Sequence, residues 1–253
     1  MPAFILQLLQ GKNQSEGVLE SPDMVPAEQA NLQHYLASNS PRRKELLTLI
    51  NLEYNLLPAQ VDETPLPDED GINYVRRIAN SKAYSAANQA GGRAVIIAAD
   101  TAVIDYQADE KSRILGKPKD AFDAVEMLHR LRGHTHHVLT AVSILRTDDG
   151  TLQLDLCTTD VPMRNYSEQE IEAYVATGDP LDKAGGYAIQ HAGFHPVEGL
   201  TGCYANVMGL PLCHLTRSLS GLGIDPKVDV PQACQAALRY ECHAYCDILS
   251  EKR

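Results

Sequence analysis

The chain of 253 residues lacks any long apolar run and any recognisable leader at its start. A helix that crosses a membrane needs about 20 consecutive, mostly apolar residues, and the sequence contains no such stretch. The first residues, MPAFILQLLQGKNQ, have neither the cationic start nor the cleavage site of a secretory signal. These absences predict a cytoplasmic protein with no membrane partner.

Basic charge is also scarce, because 22 Lys and Arg residues stand against 33 Asp and Glu residues, for a formal net charge of −11. An excess of acid opposes binding to a nucleic-acid backbone, so we expect no nucleic-acid partner. The 6 cysteines are too few for a disulfide scaffold in a chain of this length and predict free, mostly buried thiols. A P-loop, a GxGxxG after a strand and a GxSxG nucleophile elbow are all missing.

What the sequence does contain is a regular alternation of strand and helix signals. The continuous apolar run at 94–99 predicts a fully buried strand, and a continuation through Ile104 and its neighbours stays open. Asp148-Asp149-Gly150 predicts a hairpin turn. Alternation of this kind predicts an α/β fold, and the hairpin makes its sheet mixed rather than purely parallel. The other predicted strands cover 34–37, 54–57, 138–145, 152–163 and 187–190, and the predicted helices cover 41–49, 72–89, 120–132, 167–177, 211–219 and 231–249.

The segment Ser40-Pro41-Arg42-Arg43 has the features of an anion site at the start of a helix. Ser40 is a good N-cap, and Pro41 suits the first helical position. Arg42 and Arg43 place positive charge where the helix dipole is already positive, which predicts that an anion lies nearby. Free backbone N–H groups together with paired arginines are typical of phosphate sites. A solvated basic turn explains the segment equally well, so both interpretations stay open at this point.

Carboxylates follow two of the predicted strands. Asp100 comes directly after the buried run at 94–99, and Asp62 and Glu63 follow the strand at 54–57. Ligands of open α/β sheets bind beyond the carboxyl ends of the strands, and carboxylates there can hold Mg²⁺ or Mn²⁺. The alternatives are that Asp100 only caps a turn and that the other two belong to an exposed acidic loop.

Three lysines stand in comparable places along the chain. Lys82 lies on the helix after the acidic loop, Lys117 lies in the turn Gly-Lys-Pro-Lys at 116–119, and Lys183 lies in the turn at 179–186. Each one alone fits an ordinary solvent-facing lysine. Together with Arg42 and Arg43 they would be able to converge on one polyphosphate.

Eight segments taken together resemble the Maf family of nucleoside triphosphate pyrophosphatases. They occur in the order of the family over about residues 34–222, and several independent motifs in register make the match far more specific than any one of them. The segments are LASNSPRRKELL (36–47), VDET (61–64), IANSKA (78–83), AADTAV (98–103), GKPKD (116–120), GHTHHVLTAV (133–142), DPLDKAGGYAIQ (179–190) and VMGLPL (207–212).

The resemblance implies a mixed, twisted sheet flanked by helices, with two lobes and a central cleft. It implies hydrolysis of a nucleoside triphosphate between the α and β phosphates, a divalent metal cation (Mg²⁺ or Mn²⁺) and a homodimer. Asp100 matches the catalytic carboxylate, which would act as the general base, and Glu63 and Asp100 match the metal ligands. The residues implied to bind the substrate are Ser38, Ser40, Arg42, Arg43, Lys82, Lys117 and Lys183.

Three positions separate the branches of the family. This chain has Arg42, Thr101 and Gln190 at these positions and is similar there to the branch that acts on dTTP and UTP. The branch that prefers 7-methyl-GTP has Trp, Gln and Glu at the same positions. The amide of Gln190 can both donate to and accept from a pyrimidine edge. The resemblance therefore implies the dTTP/UTP branch, with Arg43 as a plain phosphate ligand and Arg42 as a residue that also helps to choose the base.

Two other functions stay open. One is a nucleotide-binding regulatory protein of cell division with little turnover, and the other is a hydrolase that removes damaged purine nucleotides such as ITP or XTP. The regulatory function is disfavoured by the presence of Asp100, Glu63 and the lysines, because binding alone does not need a poised carboxylate. Residues 1–33 and 223–253 lie outside the resemblance as an N-terminal and a C-terminal helical extension, and their roles are open.

Overall fold

The computed structural model describes residues 32–106 and 113–250, so nearly all of the predicted N-terminal extension at 1–33 lies outside the described residues. Strands and helices alternate along most of the described chain. The strands are β1 (Gln33–Leu36), β2 (Asn55–Leu56), β3 (Ala94–Asp105), β4 (Arg113–Leu115), β5 (Thr135–Arg146) and β6 (Leu152–Pro162). The helices are α1 (Pro41–Thr48), α2 (Gly71–Ala87), α3 (Ala121–Leu131), α4 (Glu168–Ala176), α5 (Tyr204–Met208), α6 (Leu212–Ser220), α7 (Val230–Leu238) and α8 (Tyr245–Ser250).

The strands form one mixed sheet, as the sequence predicts. Their order is β2-β1-β3-β5-β6, and β4 pairs with the distal part of β3. β1 is parallel to both β2 and β3, whereas β5 is antiparallel to both of its neighbours, β3 and β6. The parallel strands bring the loops after β1 and β2 to the same edge of the sheet, which is where the sequence places its basic turn and its acidic loop.

Side-chain alternation along β3 divides the core. On one face, Val95 and Ile97 belong to a cluster with α1, α5 and α6, and Val103 belongs to a second cluster with α3 and α4. Thr101 lies between these two clusters on the same face. On the other face, β3 packs against α2 through residues that include Ala102 and Ile104. The two clusters are the cores of two lobes, and the boundary between them crosses β3 at Thr101.

Polar caps begin the helices where the sequence predicts them. Ser40 accepts a hydrogen bond from the backbone N–H of Arg43, Asp120 accepts one from Asp123, and Ser167 and Glu170 form a complete capping box. In the described part of the chain, none of the helices combines the length and the apolar character that a membrane crossing requires.

The strand that carries Asp100 is longer than the apolar run at 94–99. An end at Asp100 is wrong and the continuation through Ile104 is confirmed, because β3 continues to Asp105 and pairs without interruption with β5. Thr101, Val103 and Ile104 are β-branched and favour the extended conformation, so no local signal stops the strand. Asp100 therefore lies in mid-strand, beside the carboxyl end of β1, rather than in a turn.

Two further predicted elements are wrong. The segment 187–190 is an irregular turn, where the N–H of Ala188 bonds the side-chain oxygen of Tyr174 rather than a neighbouring strand. The predicted helix at 231–249 breaks into α7 and α8, because Arg239 adopts a left-handed conformation with φ of 50°. Directly after the break, the Tyr240 hydroxyl donates to the carbonyls of Leu200 and Gly202, which ties this segment to the body of the protein.

Candidate active site

A cleft of about 410 Å³ opens between the two lobes. The loop after β1, the start of α1, the acidic loop after β2 and the middle of β3 form one side, and the turns at 116–117 and 182–190 form the other. The structure brings all of the predicted site residues to this cleft: Ser38, Ser40, Arg42, Arg43, Glu63, Lys82, Asp100, Thr101, Lys117, Lys183 and Gln190.

The basic turn is held by its own serines. The side chain of Ser38 accepts a hydrogen bond from the N–H of Ser40 at 3.2 Å, and Ser40 in turn caps α1. The turn therefore has a fixed shape, and it presents the start of α1 together with Arg42 and Arg43 to the cleft. Because helix N-termini attract anions, this edge of the cleft is suited to a phosphate group.

Lys82 joins the two predicted carboxylates at the base of the cleft. Its Nζ lies 2.7 Å from Asp100 Oδ1 and 2.7 Å from Glu63 Oε1. Lys82 and Asp100 are buried, whereas the Glu63 side chain is 46% exposed. The acidic loop is tied to α2, because the hydroxyl of Tyr74 on that helix donates to the carbonyl of Glu63 at 2.9 Å.

The remaining oxygen of Asp100, Oδ2, is buried and has no hydrogen-bond partner among the described residues. Burial raises the pKa of the Asp100 carboxyl, although the positive charges of Lys82 and Arg43 oppose this effect. Burial also acts to raise the pKa of Glu63, but the hydrogen bond and the charge of Lys82 outweigh it and leave that pKa below its usual value. The two carboxyls therefore differ in basicity, with the more basic one buried.

Arg43 is predicted as a plain phosphate ligand, but its side chain also makes two hydrogen bonds within the protein. Its Nε donates to the carbonyl of Gly209 at 2.8 Å, and its Nη2 donates to Thr101 Oγ1 at 3.0 Å. Thr101 also bonds Thr140 at 3.0 Å, and Thr140 donates to the carbonyl of Asn206. This chain of hydrogen bonds fixes Arg43 and Thr101 at the lobe boundary, and their proposed contacts with phosphate and base stay predictions.

Lys183 and Arg42 share a carboxylate that the sequence reasoning missed. Lys183 Nζ donates to Asp182 Oδ1 at 2.6 Å, and Arg42 Nη1 lies 3.7 Å from Asp182 Oδ2. Lys183 also bonds the carbonyl and the carboxylate of Asp179, which is itself held by the hydroxyl of Tyr174. The i,i+4 spacing of Asp179 and Lys183 is a signal that would have found Asp179, whereas Asp182 directly precedes Lys183 and no helical spacing indicates its contact.

Lys117 and Gln190 are exposed at the mouth of the cleft. Neither side chain has a hydrogen bond or an ion pair within the ranges 32–106 and 113–250. Both are therefore free to meet a ligand, and the positive charge of Lys117 contributes to the lowered pKa of Glu63.

The donor set at the base of the cleft fits a hard divalent cation only in part. Glu63 and Asp100 supply carboxylate oxygens, and the partnerless Oδ2 of Asp100 is available to a cation. Across the described ranges, no cluster of three or more His, Cys, Asp or Glu side chains has the arrangement of a metal site. Two carboxylates suit Mg²⁺, which proteins commonly bind through one or two carboxylates with substrate phosphates as the other ligands.

The mixed sheet and its cleft, in which lysines and arginines surround two carboxylates, define an α/β protein with a site for a small polyanion. The model of the Maf family, described as Maf-like protein, matches residues 33–222, and the chain belongs to this family.

Curated relatives match over most of their own length. A protein of Geobacter sp. (strain M21) is 42% identical over 188 residues, which cover 74% of this chain and 94% of the relative. One of Pasteurella multocida (strain Pm70) is 41% identical over 204 residues, covering 77% and 98%. Both are named dTTP/UTP pyrophosphatase. Among solved structures, the Ham1 protein of Staphylococcus aureus is 14% identical with a TM-score of 0.42, covering 82% of this chain and 98% of that one, too distant to indicate function.

Proposed function

We propose that the protein is a metal-dependent pyrophosphatase that hydrolyses dTTP and UTP to the monophosphate and pyrophosphate. The names of its relatives support this activity, because they match the chain at about 40% identity across the whole family region. The observation that carries the proposal is the arrangement at the base of the cleft. There Lys82 holds Asp100 and Glu63 together, and a buried oxygen of Asp100 has no partner among the described residues.

Cations on both sides of the cleft would bind the triphosphate. Arg42 and the start of α1 lie on one side, and Lys117 and Lys183 lie on the other. Ser38 and Ser40 shape the turn that presents the backbone N–H groups. Because a triphosphate carries several negative charges, cations on opposite walls can hold it along its length and fix the α phosphate near Asp100.

Asp100 is proposed as the general base. Its Oδ2 is available to accept a proton from water, while Oδ1 is held by Lys82. Burial raises the pKa of Asp100 and makes it a stronger base than an exposed carboxylate. General-base catalysis contributes about 10²–10⁴-fold, so positioning and electrostatic stabilisation must supply most of the acceleration.

Glu63 and Asp100 would hold the divalent metal, Mg²⁺ or Mn²⁺. When bound, such an ion neutralises the charge that develops on the phosphate oxygens during displacement. The free edge of Gln190 and the position of Arg42 at the cleft mouth support a role for both in choosing a pyrimidine base. Thr101 would act on the same choice more indirectly, because its hydroxyl is already bonded to Arg43 and Thr140.

A homodimer in the cytoplasm completes the proposal. All six cysteines are free thiols, which suits a reducing compartment. Sedimentation equilibrium of the purified full chain tests the assembly, since a dimer has twice the mass of the 27.7 kDa chain.

The test of substrate choice is a panel of nucleoside triphosphates at one concentration, with pyrophosphate measured in the presence of Mg²⁺. We expect dTTP and UTP to be the best substrates and chelation of the metal to abolish release. A clear preference for 7-methyl-GTP, ITP or XTP would contradict the assignment of Arg42, Thr101 and Gln190. Tight binding of dTTP without release of pyrophosphate would instead favour a regulatory nucleotide-binding protein.

A further inference from the structure

We propose that Asp182 is an internal competitor for the substrate: its carboxylate takes the same two cations, Arg42 and Lys183, that bind a phosphate, and the ligand must displace it. Asp182 would thereby weaken the binding of polyphosphates and speed the release of pyrophosphate. This inference deepens the proposed function and rests on it for its link to turnover.

The hydrogen-bonding capacity of Lys183 is fully used. An ammonium group has three protons, and the structure gives Lys183 Nζ three acceptors within 2.9 Å. They are the carbonyl of Asp179 at 2.6 Å, its Oδ1 at 2.9 Å and Asp182 Oδ1 at 2.6 Å. A phosphate oxygen can therefore bond Lys183 only if one of these acceptors leaves.

The two aspartates that bind Lys183 are held very differently. Asp179 receives a hydrogen bond from the Tyr174 hydroxyl at 2.7 Å, and its backbone N–H bonds Thr177. The side chain of Asp182 is 63% exposed, and its only partners among the described residues are Lys183 and Arg42. Asp182 is therefore the acceptor that leaves most easily, while Asp179 keeps Lys183 in place.

Asp182 contacts a cation on each wall of the cleft. Arg42 belongs to α1 in one lobe, and Lys183 belongs to the turn at 179–186 in the other. A triphosphate that spans the cleft needs the same two charges. After hydrolysis, return of the Asp182 carboxylate to these cations helps to expel pyrophosphate, because the two anions compete for one place.

The test measures the binding of inorganic pyrophosphate to the full chain by titration calorimetry, which needs no turnover. We expect Asp182→Asn to bind pyrophosphate about three- to tenfold more tightly than the original chain, since it removes an exposed competing charge. Asp179→Asn loosens Lys183, so its affinity for pyrophosphate should be equal to or lower than that of the original chain. Glu126→Gln removes one exposed charge on α3, outside the cleft, and should leave the affinity unchanged.

A second pair of variants separates competition from a general effect of charge. In a Lys183→Met background, Asp182→Asn should tighten pyrophosphate binding much less than it does alone. With dTTP as substrate, Asp182→Asn should lower both KM and kcat and should be inhibited more strongly by added pyrophosphate.

Unchanged or weaker pyrophosphate binding by Asp182→Asn would overturn the inference, and so would equal tightening by Glu126→Gln. These outcomes are independent of the proposed activity. If the original chain releases no pyrophosphate from dTTP while Asp182→Asn still tightens binding, the proposed function fails and the competition stands. If dTTP is hydrolysed but Asp182→Asn shows no tightening, only the competition fails.

Discussion

At the scale of single residues, the protein tolerates buried charge by pairing it. Asp100 is buried beside Lys82, which also binds Glu63, so one ammonium group serves two carboxylates. A buried charge without a partner would cost several kcal/mol. The identities of these three residues could be predicted from the sequence, because each belongs to a recognisable motif. Their mutual contact could not, since it depends on the packing of α2 against β3.

His136 gives a prediction for stability at acid pH. Burial is the main cause that lowers the pKa of its imidazole from 6.5 to about 3, and it bonds the hydroxyl of Tyr187 at 2.8 Å. Between these two pH values, the His136 imidazole is protonated in the unfolded chain and neutral in the folded chain. The free energy of unfolding therefore falls as the pH drops from about 6.5 toward 3.

We expect His136→Gln to flatten this dependence by as much as about 1.4 kcal/mol per pH unit. Urea unfolding at several pH values between 7.5 and 4.5 measures it. The exposed His134→Gln is the matched control and should keep the original slope. An unchanged slope in His136→Gln would show that other groups dominate the response to acid.

At the scale of elements, the site depends on turns as much as on strands. Local signals predicted most of the helix starts, because Ser40, Asp120 and Ser167 are caps whose chemistry is readable in the sequence. The predicted strand at 187–190 is wrong, since Tyr187 and Ile189 pack into the cluster that contains Tyr174 and do not pair in the sheet. Burial produces the same apolar pattern in both cases, so pattern alone cannot separate them.

The end of α5 gives a prediction that links a turn to the site. Gly209 has a φ of 108°, its carbonyl accepts from Arg43, and an added Cβ would lie 3.3 Å from Thr101 Oγ1. We expect Gly209→Ala to lower the free energy of unfolding by about 1–3 kcal/mol and to raise KM for dTTP.

Gly150→Ala is the control for backbone strain alone. Gly150 also has a positive φ, of 71°, but its hairpin turn offers open space to a Cβ. Gly150→Ala should lose a similar amount of stability in chemical denaturation and keep the KM for dTTP of the original chain. Equal KM values for the two variants would contradict the coupling between this turn and Arg43.

At the scale of the whole molecule, the C-terminal segment is part of the fold. Val230 on α7 is buried in the same cluster as Leu215 and Leu219, and Arg217 on α6 donates to the carbonyl of Ile248. The sequence showed that residues 223–253 lie outside the family resemblance, but it could not show what they pack against. That packing depends on contacts between parts of the chain that no motif links.

We expect Val230→Ala to lower the free energy of unfolding by about 1–3 kcal/mol, because it removes two methyl groups from a closed cluster. Val228, which is only half-buried, provides the matched control, and Val228→Ala should cost clearly less. Chemical denaturation of both variants measures the difference. A loss near zero for Val230→Ala, no larger than that of Val228→Ala, would mean that the C-terminal segment adds little to the core.

If Asp100 activates water for hydrolysis of a bound triphosphate, replacing Asp100 with Asn removes the base and leaves the rest of the site in place. The amide keeps the shape of the side chain but cannot accept a proton as a carboxylate does. The measurement compares pyrophosphate release from dTTP with Mg²⁺ for the original chain and Asp100→Asn, with dTTP binding followed in parallel. We predict near-normal binding and a loss of turnover of at least about 10²-fold. Pyrophosphate release close to that of the original chain would show that Asp100 is not the general base.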